Sequence, residues 1–171
     1  MHARSILLDG FSKSYAMTGW RLGYAVAPKA LAAKLDTLMI NSSSCAAAFT
    51  QMAAIEALSA PESESAVHRM VKVFEHRRNL VVDGLNAIPG VRCARPQGSF
   101  YAFPNIMGTG FDERELADRL LTEAGVAVLP GTAFGAAGKG YIRLAYTQSE
   151  DELTRGLKQI ADFIGVNRKK Q

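Results

Sequence analysis

The stretch that decides the fold is residues 9–24, which read Asp9-Gly-Phe-Ser-Lys-Ser-Tyr-Ala-Met-Thr-Gly-Trp-Arg-Leu-Gly-Tyr24. A lysine at a strand end, partly desolvated and near another cation, has a destabilised ammonium, so its neutral amine can attack a carbonyl. Lys13 is such a candidate. The Arg21 guanidinium can hold a phosphate through two hydrogen bonds, and the Ser12 hydroxyl can add a donor. The spacing by itself is more typical of a solvated lysine and a structural arginine, because both residue types are mostly exposed.

The residues around this stretch predict a strand on each side of Lys13. Residues 5–8 indicate a short buried strand, and residues 20–27 alternate as a second strand. Alternation places Arg21, near the start of the second strand, on a face whose other side chains belong to glycine and alanine. Small neighbours leave room beside the guanidinium, which is unusual for a strand that serves only the core.

Apolar residues at helical spacing predict three helices next. The first has Pro28 in its first turn and is broken by the polar run 41–44. The second, residues 46–58, is apolar nearly all round, so we expect it to be buried or at a subunit interface. The third carries one long apolar stripe over residues 67–85.

The remaining residues alternate between strands and helices. The predicted strands are 91–95, 99–103, 126–129 and 140–146. Asp112 with Glu115 predicts a capping box, which opens a helix that Gly125 closes. Ser149 with Glu152 caps a final helix. This order favours an α/β protein with two lobes.

Composition and charge exclude several classes of protein. No apolar run can cross a bilayer, and residues 1–4 lead into only four strand-like residues, so we expect neither a membrane segment nor a signal peptide. Cys45 and Cys93 are too isolated for a disulfide scaffold or a zinc site, which favours free thiols in a reducing compartment, the cytoplasm. Much of the net charge of +4 comes from the tail 168–170, which we interpret as a solvated terminus and not as a nucleic-acid site.

Two further patterns carry no chemistry. The three histidines, His2, His68 and His76, show no metal-ligand spacing, so we predict no metal site. The glycine cluster 135–140 hints at a phosphate-binding P-loop, but Ala133 and Gly140 stand at positions that the motif does not allow. We interpret the cluster as a turn.

Residues 10–23 closely resemble the lysine-attachment signature of the class I/II aminotransferases, which have fold type I. The resemblance implies that Lys13 forms the covalent link to pyridoxal phosphate and that Arg21, helped by Ser12, holds the phosphate. In that family the cofactor supplies the electron sink, while the protein supplies position and electrostatics.

Three downstream segments agree with the resemblance. Residues 96–103 look like the family's small-domain strand near the substrate, and residues 128–135 are similar to its substrate-side loop. Residues 141–146 resemble the strand whose arginine holds the substrate α-carboxylate, which assigns that role to Arg143. Strand alternation independently places Arg143 opposite its apolar neighbours. Without the resemblance, a surface salt bridge would be the favoured explanation, because exposed arginines are the rule.

The resemblance implies the end of a large cofactor-binding domain over residues 1–60 and a small C-terminal α+β domain over residues 61–171, with a hinge at 61–65. Family members are more than twice as long. The parts that hold their glycine-rich phosphate loop and the acidic partner of the pyridine nitrogen find no counterpart here; Asp9 is not that acid by motif position.

The implied activity is the transfer of an amino group between an L-amino acid, of the aspartate or aromatic type, and a 2-oxo acid. A homo-oligomer is expected, since most of the large sheet would be missing and apolar faces would need cover. Two alternatives stay open. One is another fold-type-I reaction, such as decarboxylation or elimination, and the other is a non-catalytic regulatory or interaction module.

Overall fold

The computed structural model describes residues 4–167. The predictions for His2 and for the basic tail 168–170 lie outside the described residues. The chain divides into two compact units, Met1–Met70 and Val71–Gln171, and each has its own apolar cluster.

A two-stranded antiparallel hairpin opens the first unit. Strand β1 (Leu7–Gly10) pairs with strand β2 (Gly23–Val26), so that Gly10 lies opposite Gly23. The predicted strand 20–27 is therefore too long, because residues 18–20 form a 3-10 turn. The prediction that residues 5–8 are buried is also wrong: the strand side chains are mostly exposed, and Leu8 is 77% exposed. A two-stranded sheet buries little unless another layer covers it.

Three helices complete most of the first unit. They are α1 (Phe11–Ser14), α2 (Lys29–Ser42) and α3 (Ala48–Ser59). Their small core consists of Phe11, Met17 and Ala54. The predicted helix 46–58 is confirmed as α3, but its large apolar side chains are not buried within this unit, so its place at an interface stays a prediction.

Helix α4 (Pro61–Asn86) begins in the first unit and continues into the second. The segment 61–65, predicted as a hinge, is the first turn of this helix, which suits Pro61 because proline has no N–H to lose at that position. The hinge role and the domain boundary between residues 60 and 61 stay predictions.

The second unit has a three-stranded antiparallel sheet with two further helices. Strand β5 (Ile142–Ala145) lies between β3 (Tyr101–Ala102) and β4 (Leu129–Pro130). Helices α5 (Glu113–Ala124) and α6 (Glu150–Asn167) follow β3 and β5 in sequence. The predicted strand 91–95 is reduced to one bridge, between Arg92 and Asn105. The helices bury Val81, Val82, Leu85, Leu116, Leu120, Ile160 and Ile164.

The predicted helix caps are confirmed. The Asp112 carboxylate accepts a hydrogen bond from the Arg114 backbone N–H at 2.9 Å, and Gly125 ends α5 in the left-handed conformation. The Ser149 hydroxyl accepts one from the Glu152 backbone N–H at 3.3 Å. These local signals are readable because each cap satisfies a backbone group that the helix leaves unpaired.

Glu113, the first residue of α5, is buried, with 4% of its surface exposed. Its carboxylate accepts a hydrogen bond from the Gly140 backbone N–H at 3.0 Å. The Gly140 bond is the main reason that the pKa of Glu113 lies below its ordinary value. This carboxylate therefore joins α5 to the end of the loop between β4 and β5.

We expect Leu120→Ala to lower the free energy of unfolding by about 2–5 kcal/mol, because Leu120 is fully buried and alanine leaves a cavity. Its neighbour Leu121 is 57% exposed, so Leu121→Ala provides a matched control with a loss below about 1 kcal/mol. Urea denaturation followed by circular dichroism measures both. Equal losses would contradict the assignment of the core face of α5.

Glu113→Gln should weaken the acid dependence of stability. A carboxylate whose pKa is lowered by folding stabilises the fold above its unfolded pKa, and that stability disappears as the pH falls through the folded pKa. Below pH 4.5, which is the ordinary pKa of a glutamate, the free energy of unfolding should therefore fall more steeply in the wild type than in Glu113→Gln. Urea midpoints measured between about pH 3 and pH 7 test this, with the exposed Glu62→Gln as control.

Candidate active site

The connection between β1 and β2 displays the predicted cofactor residues. Gly10 and Gly23 face each other across the hairpin, and the Phe11 N–H donates to the Leu22 carbonyl at 3.3 Å. A Cβ atom on Gly23 would lie 3.0 Å from the Asp9 carbonyl oxygen. The hairpin thus closes tightly at this point, and residues 11–22 form a compact excursion above it.

Two buried side chains anchor the excursion. Phe11 is 3% exposed and Met17 is 8% exposed, and the backbone N–H of Met17 donates to the Phe11 carbonyl at 3.4 Å. Helix α1 between them is one turn long, with Ser12 half-buried and Lys13 exposed. The expected partial desolvation of Lys13 is therefore not provided within this unit, because α1 lies at its surface.

The prediction that Arg21 lies on strand β2 is wrong. Arg21 has a φ of 54° and lies between the 3-10 turn Thr18–Trp20 and the strand. Its Nη1 atom donates to the Thr18 carbonyl at 3.0 Å. The left-handed conformation redirects the chain from the turn into the strand. It costs a non-glycine residue on the order of 1–3 kcal/mol, and such strain is concentrated at functional sites.

Arg21 lines an open groove of about 720 Å³ within the first unit. Most of the lining side chains are small; the residues are Ala16, Gly19, Trp20, Arg21, Cys45, Ala46, Ala47, Phe49 and Thr50. Ser12 and Lys13 lie on the same excursion but are not among these lining residues. The structure therefore brings Ser12, Lys13 and Arg21 onto one excursion, with Arg21 alone of the three on this groove.

Arg143, in the second unit, lies on β5 between two aromatic rings that come from different elements. Its guanidinium carbon is 4.1 Å from the ring centroid of Tyr101 and 3.9 Å from that of Phe134. Ile142, beside it in sequence, is buried, while Arg143 is half-buried. Within residues 4–167 the Arg143 guanidinium has no carboxylate, carbonyl or hydroxyl acceptor, so the alternative of a surface salt bridge finds no partner there.

The loop before Arg143 is built on close backbone contact. A Cβ atom on Gly131 would lie 2.1 Å from the Gly138 carbonyl oxygen, and one on Gly138 would lie 2.0 Å from the Gly131 carbonyl oxygen. Two 3-10 turns, Gly131–Phe134 and Ala136–Gly138, make up this loop. The interpretation of 135–140 as a turn is thereby confirmed.

Sequence reasoning missed Glu113, Tyr101 and Phe134. Nothing in the sequence distinguishes Glu113 from the exposed acids of the same helical turn, because its burial depends on the loop at Gly140. The ring contacts with Arg143 depend on strand pairing across the sheet. No cluster of three metal-binding side chains occurs in the described part of the chain, and none of its helices is long and apolar enough to cross a membrane.

Comparison with known proteins shows what the chain resembles. The family model "Aminotransferase class I and II" matches residues 1–160. An aspartate aminotransferase of Pyrococcus horikoshii is 44% identical over 156 residues, which are 91% of this chain and 40% of that protein. The aromatic-amino-acid aminotransferase 2 of Thermococcus litoralis is 40% identical, over 96% of this chain and 42% of that protein.

Solved structures agree. The crystal structure of an aromatic aminotransferase from Pyrococcus horikoshii superposes with a TM-score of 0.91 at 38% identity, over 97% of this chain and 44% of that chain. The aspartate aminotransferase of Rhizobium meliloti gives 0.88 at 36% identity, over 96% of this chain and 42% of that chain. These similarities confirm the predicted fold, that of part of a fold-type-I transferase, and the chain spans less than half the length of the relatives it matches. The chain belongs to the class I and II aminotransferases.

Proposed function

We propose that this chain carries the cofactor-attachment lysine and the substrate-carboxylate arginine of an aminotransferase. The complete enzyme would transfer an amino group between an L-amino acid, of the aspartate or aromatic type, and a 2-oxo acid. The observation that carries the proposal is the closed β1–β2 connection, which carries both Lys13 and Arg21 in a member of this family. Because the chain spans only 40% of a relative such as the Pyrococcus aspartate aminotransferase, the activity is proposed for the complete protein.

The donor set of the first unit fits pyridoxal phosphate, the cofactor of this family. An aldehyde needs a primary amine, which Lys13 provides at an exposed position. A phosphate dianion needs cationic and hydroxyl donors, which Arg21 and Ser12 provide. One Nη atom of Arg21 donates to the Thr18 carbonyl, and the other N–H groups of the guanidinium are proposed to bind the phosphate.

Each residue then has a distinct task. When bound, the cofactor supplies an electron sink for the pair of electrons left at the substrate α-carbon. Lys13 would act as the general base that takes the proton from the substrate α-carbon and delivers it to the former aldehyde carbon of the cofactor. Arg21 and Ser12 would hold the phosphate.

Arg143 is proposed to hold the substrate α-carboxylate. A guanidinium presents paired N–H donors that match the two oxygens of a carboxylate. Its half-buried position and lack of an acceptor within residues 4–167 leave these donors for a ligand. The similar proteins include both aspartate and aromatic-amino-acid aminotransferases, which supports these two types of substrate.

We propose that the complete enzyme is a cytoplasmic homo-oligomer. Both cysteines are free thiols, and Cys45 is exposed, which suits a reducing compartment. On α3 the side chains of Phe49, Met52, Ile55 and Leu58 are 59–73% exposed. A surface of this kind marks a contact with protein.

Lys13→Ala should abolish site-specific attachment of pyridoxal phosphate. Purified chain is mixed with the cofactor, reduced with borohydride, digested and mapped by mass spectrometry. We expect the wild type to carry the reduced adduct on Lys13 ahead of other lysines, because Arg21 and Ser12 bind the phosphate beside it. The exposed Lys34→Ala serves as the matched control and should keep the adduct.

Two comparisons sharpen this test. Pyridoxal without its phosphate should label Lys13 less, and Arg21→Gln should reduce labelling by pyridoxal phosphate by about tenfold to a hundredfold, toward the pyridoxal value. Equal labelling of Lys13 and Lys34 in the wild type would show that Lys13 has no special affinity, and the proposed cofactor role would fail.

Phe49→Glu should reduce self-association of this chain. A buried carboxylate without a partner opposes any contact that covers α3. Sedimentation velocity over a range of concentrations is expected to show wild-type species above the 18.4 kDa of one chain and a shift toward the monomer in Phe49→Glu. Val166 on α6 is 85% exposed, so Val166→Glu is the control. A monomeric wild type would refute association through α3.

A further inference from the structure

Arg143 combines three features that rarely occur together. It is half-buried, its guanidinium carbon lies about 4 Å from two ring centroids, and no acceptor within residues 4–167 takes its hydrogen bonds. Arginines in such positions are ordinarily tied to carboxylates or carbonyls. Here aromatic rings replace them, so the side chain is held without its N–H donors being used.

We infer that Tyr101 and Phe134 are positioning residues for Arg143, which they orient to receive a carboxylate; this rests on the proposed role of Arg143. A flexible guanidinium must lose rotational freedom when it binds an anion, and that loss weakens binding. Contact with two ring faces removes the freedom beforehand. A carboxylate partner would do the same but would compete with the ligand.

The two rings reach Arg143 by independent routes. Tyr101 lies on β3, where it pairs with Ala145 of β5, so the sheet itself sets its place relative to Arg143. Phe134 ends the 3-10 turn Gly131–Phe134 in the loop before β5. The edge-on contact with the Phe103 ring, at 6.1 Å between centroids, supports it further.

Glu113 fixes the loop route. Its buried carboxylate accepts a hydrogen bond from the N–H of Gly140, three residues before Arg143. Helix α5 therefore holds the end of the loop that carries Phe134. Phe134 is 48% exposed, so its ring contributes little to the core. Its contact with Arg143 explains better why a phenyl ring stands at this position.

The inference is tested by side-chain NMR of the whole chain labelled with ¹⁵N-arginine. The Nε–H signal of Arg143, assigned by its loss in Arg143→Gln, should show a rigid {¹H}–¹⁵N NOE and a ring-current shift in the wild type. Phe134→Leu keeps apolar bulk without a ring and should make the signal mobile, whereas Phe134→Tyr should restore rigidity. Tyr101→Leu and Tyr101→Phe form the second matched pair.

Binding of 2-oxoglutarate, used as a carboxylate probe, is titrated on the same samples. We expect each leucine variant to weaken binding by about threefold to tenfold and each ring-preserving variant to change it less than twofold. Backbone amide spectra that superpose on the wild type show that the fold is kept.

The outcomes separate the two claims. If Arg143→Gln binds the probe as well as the wild type, the proposed carboxylate role of Arg143 fails. If binding depends on Arg143 but Phe134→Leu and Tyr101→Leu leave its Nε–H rigid and its affinity unchanged, the positioning inference fails and the proposed role stands. Rigidity of the Nε–H signal decides the positioning claim even without probe binding, because a mobile signal in the wild type overturns it.

Discussion

The close approach of two backbone segments at Gly23 is the constraint on which the first unit depends. The strands of the hairpin approach closely there, since a Cβ atom on residue 23 would lie 3.0 Å from the Asp9 carbonyl oxygen and the strands would have to shift slightly to admit it. Closure brings Phe11 and Leu22 into hydrogen-bond contact, so both ends of the excursion start from a fixed point. The lysine and the arginine are then eight residues apart in sequence but belong to one compact loop.

Strain and anchoring balance each other within that loop. Arg21 adopts a left-handed conformation that a side chain normally avoids, and buried Phe11 and Met17 hold the loop against relaxation. In the second unit the Arg143 guanidinium is held by contacts with two aromatic rings and not by backbone strain. The ring contacts bear on the direction of the Arg143 guanidinium, whereas the strained backbone at Arg21 redirects the chain from the 3-10 turn into β2.

The sequence predicts best those features that depend on a few adjacent residues. The caps at Asp112 and Ser149 were readable because a cap and its N–H lie within three residues of each other. The conformation of Arg21 was not predictable in this way. The alternating pattern in the sequence includes Trp20 and Arg21, but in the structure a 3-10 turn ends at Trp20 and the strand begins only after Arg21. The burial of Glu113 was not readable either, because it depends on a loop 27 residues away. The roles of Lys13 and of Arg143 came from resemblance to a family and not from spacing.

Burial in the first unit shows why local pattern and environment must be kept apart. Apolar residues along α3 predicted a covered helix, and the helix formed with Phe49 and Leu58 exposed. The apolar pattern of α3 indicates a helix that is covered in its functional setting. The structure of this chain shows that the chain alone does not provide that cover. Exposed Lys13 follows the same logic: an amine becomes a good base at neutral pH when its ammonium form loses water. The desolvation that the Lys13 amine needs is likewise a property of surroundings that this unit does not provide.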